Sequence, residues 1–409
     1  MSKQSQIRNP KSQIAIVGAG PAGASLAIRL ARKGFRVRLI ERESFPREKL
    51  CGEFISPECL SHFKDLGVLD EMLSAGGERI LETVFYSRSG KSVNVPSEWF
   101  DKSFQGALSL SRAEMDFRLL EKAKESGVKI FENTSAVGLI FENQRVCGVK
   151  TRNESGETEE IFADLIIDAT GRANVLGRLA EKEISRKGAK RQRTKDKGQR
   201  TKLVGFKAHL KNANPQKSHC EIYFFRGGYG GLSLVENNLA NFCFLIKADV
   251  TKELNGKTNK IIEQIVFQNQ RASVTLKDAE PVHEWLAVSV DGFGMKNLNP
   301  ARRLLAVGDA GAFIDPFTGS GMLMALESAE ILAKSIFEND FAPEKIAESY
   351  KILHRQRFQR RLRVCSVLRR LAFAPSLADA AISFLSLGKR PREILARATR
   401  PGDFSAEER

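Results

Sequence analysis

The sequence predicts an α/β fold: a Rossmann-like nucleotide-binding half, an inserted antiparallel β-sheet and a helical C-terminal tail. Three observations carry that reading. The stretch GAGPAG, Gly18 to Gly23, lies between a short buried-type strand and an alanine-rich helix. Two more buried-type runs, 164–167 and 304–307, each lead into a paired acid and glycine, as DATG and GD. Between residues 201 and 247, three segments alternate apolar and polar side chains in the manner of half-buried strands.

Residues 14–17 form the first strand, and Gly18, Gly20 and Gly23 follow at the GxGxxG spacing. Leu26, Leu30 and the small alanines then give a helical apolar face, which Gly34 ends. A second strand, 36–40, runs into Glu41, about twenty residues past the glycines. The first glycine permits a tight turn, the second lets backbone approach a pyrophosphate, and the third seats the helix on the strand. Glu41 then accepts hydrogen bonds from a ribose. NAD and FAD share this fingerprint, so a second signal has to choose between them. It comes from the later strand ends. In the run after 304–307, Gly308 and Asp309 place a carboxylate where the ribityl hydroxyls of a flavin can donate to it. Pro316, Gly319 and Gly321 lead into a helix expected over about 322–334, whose positive end suits an anionic reduced flavin. The strand 164–167 ends in Asp168 and Gly171 of DATGRAN.

The strands expected at 201–209, 219–225 and 239–247 form the substrate-side sheet, with a turn at Asn237–Asn238 before the last of them. In the tail, Phe358, Leu362, Cys365, Leu368 and Leu371 recur at three- and four-residue spacing among arginines, which describes a basic amphipathic helix. Two roles suit it: packing its stripe on the body, or a peripheral contact with an anionic membrane. Pro375 and Pro391 are expected to bracket a second apolar helix.

Charge and cysteine usage limit the function classes. The chain has 409 residues and a formal net charge of +16. The excess sits in two places. Residues 186–202 hold nine Lys or Arg against one Asp, and residues 351–370 hold eight and no acid. The first segment repeats QRTK and, apart from Ala189, lacks apolar or aromatic residues, so it reads as a solvated insertion and no nucleic acid is expected. A shorter echo, SQI at 5–7 and 12–14, reads the same way. Six cysteines without a CxxC pair and five histidines predict no metal site and no disulfide framework. No apolar run precedes the first strand, and the apolar stretch 377–387 is too short to span a bilayer. The expectation is a cytoplasmic protein, with membrane association as the variant.

GAGPAG, DATGR and GDAGAFIDPFTGSG, in this order and separation, resemble the flavin-dependent enzymes of the para-hydroxybenzoate hydroxylase superfamily over residues 13 to about 335. The resemblance implies an FAD-binding domain of the GR2 type. By it, Arg112, in SLSRAEMDF, contacts the FAD, Gly308 and Asp309 hold its sugar chain, and DATGR lies beside the dinucleotide. Within the superfamily, FPREKLCGEFISP is similar to the geranylgeranyl reductase branch, whose members carry K-x-C-G here and hydrogenate isolated C=C bonds of isoprenoids. That places Cys51 near the flavin face, as a proton donor or as a packing residue, with Gly52 letting the backbone pass close to the ring. Lys49 reads as a surface residue. The branch's Y-x-W-x-F-P pocket motif survives only as Tyr229, with Gly231, Ser233 and Leu234 at the other positions. The related halogenases need a W-x-W-x-I-P motif, which a chain with Trp99 and Trp285 alone cannot contain.

The expected organisation is a composite FAD-binding domain from 1–80, 110–180 and 290–340, a β-sheet substrate domain from 80–110 and 200–290, and C-terminal helices over 341–409. The expected function is an FAD-dependent reductase of a hydrophobic, isoprenoid or polyketide-like molecule, with NAD(P)H as electron donor. The alternative is a monooxygenase using NAD(P)H and O2 on the same scaffold, with a halogenase or a non-enzymatic flavoprotein behind it.

Overall fold

The computed structural model describes residues 12–186 and 202–400. The basic insertion read at 186–202 and the first SQI copy lie outside the described residues, apart from Arg186 and Lys202. The chain begins β1 (Gln13–Val17), α1 (Pro21–Arg32), β2 (Arg36–Ile40), β3 (Phe54–Ile55), α2 (Pro57–Asp65), α3 (Leu69–Leu73), β4 (Glu78–Ile80), β5 (Glu82–Tyr86), β6 (Ser92–Pro96), β7 (Ala107–Ser109) and α4 (Arg112–Glu125). It continues β8 (Lys129–Phe131), β9 (Ser135–Glu142), β10 (Arg145–Arg152), β11 (Thr158–Phe162), β12 (Leu165–Asp168) and α5 (Val175–Arg186). The second sheet follows with β13 (Leu203–Lys211), β14 (His219–Phe225), β15 (Gly228–Leu234), β16 (Ala240–Lys247), α6 (Ala248–Glu253), α7 (Thr258–Gln264), α8 (Gln270–Thr275), β17 (Glu280–Pro281) and β18 (Leu286–Val290). The last part is β19 (Gly294–Met295), β20 (Leu304–Ala306), β21 (Ala312–Phe313), α9 (Gly321–Glu338), α10 (Pro343–Ala372), α11 (Pro375–Leu385) and α12 (Lys389–Ala398).

β1 stands at the centre of a parallel sheet ordered β20–β12–β1–β2–β8. Its strands read as continuous apolar runs because both faces are covered. Ile14 and Ile16 point to the side of α1, α4 and α9, whereas Ala15 and Val17 pack with β9–β11 and α5. The parallel register sets Val17 opposite Ile40 and Asp168, and Asp168 opposite Ala306, so four strands end on one edge. Ligands of such sheets bind beyond that edge.

The second sheet is ordered β17–β13–β16–β15–β14–β5–β6, with β18 added on β13. It departs from the expected antiparallel sheet at one place: β14 and β5 run parallel, because β5 arrives from the first half of the chain. The turn before β16 is as read, with Asn237 and Asn238 both at positive φ. One face, with Phe206, Phe242, Phe244, Tyr223 and Phe225, packs under α6–α8. The other turns toward the nucleotide-binding half.

The apolar helix expected between Pro375 and Pro391 is α11: it starts at Pro375 and ends at Leu385, and Pro391 lies beyond it in the first turn of α12, where a missing N–H costs nothing. In α10 the predicted stripe packs inward: Phe358 and Cys365 are buried against Ile314 and Met324. On the same side Arg361 is fully buried, donating to Glu327 of α9 at 2.9 Å and to Thr399 O at 3.1 Å. Among the described residues no helix is long and apolar enough to cross a membrane.

Candidate functional site

The glycines at the end of β1 divide into two kinds. A Cβ on Gly18, whose φ is +104, would stand 2.3 Å from Ala169 O, and one on Gly23 would stand 1.9 Å from Gly18 O. These two positions press backbone on backbone. A Cβ on Gly20 would instead meet only guanidinium nitrogens, Arg112 Nη2 at 3.7 Å and Arg47 Nη2 at 4.0 Å. Glu41, buried just past β2, accepts from Ala19 N at 2.8 Å and Arg42 N at 3.0 Å, which braces the glycine loop.

Arg112 opens α4, and Asp116 one turn on takes its Nε and Nη2 at 2.9 and 2.6 Å. Burial works against the Arg112 charge, but Asp116 outweighs it and raises the pKa above the ordinary arginine value. Arg47 Nη1 lies 3.1 Å from the same carboxylate, while its buried Nε has no hydrogen-bond partner. Two buried guanidinium groups, one with an unused donor, thus face a glycine that leaves room for a ligand. That arrangement fits a pyrophosphate, and residues 18–23, Arg47 and Arg112 are the ones that would hold it.

At the end of β20, Gly308 adopts φ +61 against Ala22, and Asp309 follows in a short turn. Burial raises the Asp309 carboxyl pKa above its usual value, against the pull of Arg172 and Lys296. Lys296 donates to Asp309 O at 2.8 Å and Arg172 O at 3.3 Å, and burial lowers its pKa. Asp168 holds its own turn: it accepts from Thr170 N and Oγ1 at 3.0 and 2.6 Å and from Gly177 N of α5 at 2.9 Å. Gly171 leaves open space where a Cβ would be. Pro316 begins a turn capped by Asp315. Gly319 ends it at φ +60 against the Phe54 ring, and Gly321 starts α9.

The Cys51 loop crosses from this half to the second sheet. Its carbonyl accepts from Asn241 of β16 at 3.2 Å, Cys51 Sγ accepts from Glu53 N at 3.4 Å, and a Cβ on Gly52 would meet nothing. Glu53 is fully buried and adopts φ +55, a strained conformation for this residue type. It is held there by Arg112 N at 2.9 Å, Lys207 Nζ at 2.6 Å and His209 Nε2 at 2.7 Å. Burial would discharge Lys207, but Glu53 and Glu48 outweigh it and keep its pKa above the ordinary lysine value. Glu48, Glu53 and His209 bring three ligand-type atoms together, yet the Lys207 ammonium already sits on both carboxylates in the place a cation would take. Lys49 is not the surface residue expected. It is half-buried, and its pKa is lowered by burial, then by Arg47 and Arg112.

Tyr229 stands on the face of β15 turned to this loop. Its hydroxyl donates to Asp315 Oδ1 at 2.5 Å, and its ring meets Phe317 and Phe373 edge-on at 5.2 and 5.6 Å. With Phe224, Leu245, Phe313 and, from α11, Ile382, it forms an apolar wall. Gly231 and Ser233 share its face by strand alternation, Ser233 meeting Ser109 at 2.8 Å. Leu234 does not: it packs in the core on the other side, so it takes no part in the wall.

Arg47, Glu53, Lys207, His209, Lys296 and Asp315 were missed in the sequence. Lys207 and His209 had one available signal, since charged residues at alternate positions of a strand lie on one face.

Fold and site together define a dinucleotide-binding flavoprotein scaffold. The FAD binding domain family matches residues 11–363, and the chain belongs to it. It is therefore an FAD-dependent oxidoreductase type of chain, as the motifs indicated. Among curated relatives, a digeranylgeranylglycerophospholipid reductase of Methanococcoides burtonii is 27% identical over 91% of this chain and 86% of its own length. A tryptophan 2-halogenase of Chondromyces crocatus is equally identical over 85% of this chain, which spans 66% of that protein. Among solved structures, a geranylgeranyl bacteriochlorophyll reductase-like protein of Thermoplasma acidophilum superposes with TM-score 0.77 at 20% identity, covering 95% of this chain and 96% of its own.

Proposed function

We propose that this chain reduces carbon–carbon double bonds of a hydrophobic, isoprenoid-like substrate, with NAD(P)H as the source of electrons. The observation that carries the reading is the Cys51 loop lying across a sheet face whose remaining surface is an apolar wall around Tyr229. When bound, FAD supplies hydride to one carbon of the double bond. The second carbon then needs a proton, and Cys51 holds one at Sγ beside the open side of Gly52. Glu53, Lys207 and Asn241 fix the loop that carries it, and the aromatic wall keeps water from the reacting carbons. Arg47 and Arg112 neutralise the pyrophosphate, and Asp309 orients the sugar chain. Resemblance to the reductase relatives supports the same choice. A wall in which Gly231 and Ser233 replace bulky residues favours a wider substrate than theirs.

The halogenase among the relatives keeps oxygen chemistry as a second reading. The test is mass spectrometry of products after incubating the reduced, FAD-loaded protein with a lipid extract, with and without air. Products that gain pairs of hydrogen atoms without air support the reductase. Products that gain oxygen, and only in air, overturn it in favour of a monooxygenase.

A further inference from the structure

α11 is apolar on two sides. Its inner stripe, Ala378, Ile382 and Leu385, joins the cluster that contains Tyr229, Phe224 and Phe313. Among the described residues its outer stripe has no such cover: Leu377 is 51% exposed and Phe384 61%, and they lie seven residues apart on one helical face. Leu387 in the following turn is 82% exposed, and Ile394 of α12 is 70% exposed. Scattered surface apolar residues need no explanation, but four large ones within one helical hairpin concentrate apolar surface there. The same hairpin and the end of α10 carry exposed cations. Lys389, Arg390 and Arg397 of α12 are exposed, as are Arg363 and Arg370 toward the end of α10. Residues 351–400 contain thirteen Lys or Arg and only two acids, Asp379 and Glu393.

We infer that the outer face of α11 and α12 docks on an anionic lipid bilayer, with Leu377, Phe384, Leu387 and Ile394 entering the headgroup boundary and the lysines and arginines lying over acidic headgroups. Charge complementarity decides the occupant. A second copy of this chain docking by the same face would set the exposed cations against their own counterparts, because a two-fold interface pairs like surfaces. An acidic lipid surface neutralises those cations while it buries the apolar stripe, and the two terms reinforce each other. The docking element is α11 with α12. Of the α10 stripe suited to this role in the sequence, Phe358, Leu362 and Cys365 are already packed on the body. α11 is also one helix thick between the outside and the wall around Tyr229. If the proposed lipid-like substrate is correct, docking places the bilayer beside its site; the docking itself does not depend on that reading.

The test is co-sedimentation of the full chain with phosphatidylcholine vesicles and with equimolar phosphatidylcholine and phosphatidylglycerol vesicles. No turnover is measured, so its result is independent of the reaction. Binding is expected to the acidic vesicles, to fall at least about tenfold at high salt, and to be weak on phosphatidylcholine alone. Phe384→Asp with Leu387→Asp should lower it by about tenfold or more. Lys389→Glu with Arg390→Glu, on exposed positions, should lower it comparably and serves if the first variant misfolds. Failure to bind acidic vesicles overturns the inference, as does binding that neither double variant weakens. A concentration-dependent dimer that Phe384→Asp dissolves would also overturn it, assigning the face to a second copy.

Discussion

The two faces of the second sheet use the same strands and neighbouring residues, yet they are built on opposite rules. On one, Phe206, Tyr223, Phe242 and Phe244 stack in a continuous aromatic core, with Phe206 and Phe244 centroids 4.9 Å apart. On the other, the residues one step along are Lys207, His209, Asn241 and Cys243, interrupted by glycine at 205 and 231. The first face is satisfied by burial alone. The polar groups of the second find their partners in distant segments: Glu53 for Lys207 and His209, Cys51 O for the Asn241 amide nitrogen, and Asp315 for the Tyr229 hydroxyl. Packing makes the sheet stable, and the paired polar face makes it hold a loop in a strained conformation beside the cofactor edge.

Three variants test how different the faces are. Glu53→Ala should be the most damaging, because it takes the fully buried carboxylate from the Lys207 ammonium, only 1% exposed, and leaves it the half-exposed Glu48 alone. The expected loss in urea unfolding is up to about 5 kcal/mol. The double change Glu53→Gln with Lys207→Met should recover most of it, and a double variant no better than the single would show that the ion pair is not the cause. Phe242→Ala on the other face should cost about 3–4 kcal/mol by opening a cavity. It should leave the absorption spectrum of bound flavin unchanged. A shifted spectrum would mean that the two faces are coupled.

The smallest expected effect concerns pH. Burial raises the Asp315 carboxyl pKa above its usual value, so the folded chain keeps a proton that the unfolded chain gives up first. The stability it contributes is complete below about pH 3.9, the unfolded value, and is lost as the pH rises through the higher folded value. Asp315→Asn keeps an acceptor for Tyr229 and for Phe317 N but has no proton to lose. Its melting temperature should therefore fall less than that of the parent as pH rises from about 3.9. Equal slopes for the two proteins would remove Asp315 from the account.

The nucleotide-binding half was legible because its signals are local. Gly18, Gly20 and Gly23 stand between a strand and a helix within a dozen residues, and acid-and-glycine pairs mark two other strand ends. Parallel strands covered on both faces then bring those ends to one edge. Asp168 shows the limit of such reading. The motif was visible, but both carboxylate oxygens hold the turn and α5.

By itself, the sequence determined the family and the order of strands and helices around the glycine loops. Local chemistry suffices for these, since turn geometry, helix starts and strand alternation depend on neighbours a few residues apart. Only the tertiary structure decided that Glu53 meets Lys207 and His209 more than 150 residues away, that Tyr229 bonds Asp315 across 86, and that Lys49 is half-buried. It also decided which stripe of the tail packs and which faces out. The physical reason is one of partners: a buried charge or an amphipathic stripe is stable only against a particular complement, and nothing within a few residues of Glu53 or Phe384 states what that complement will be.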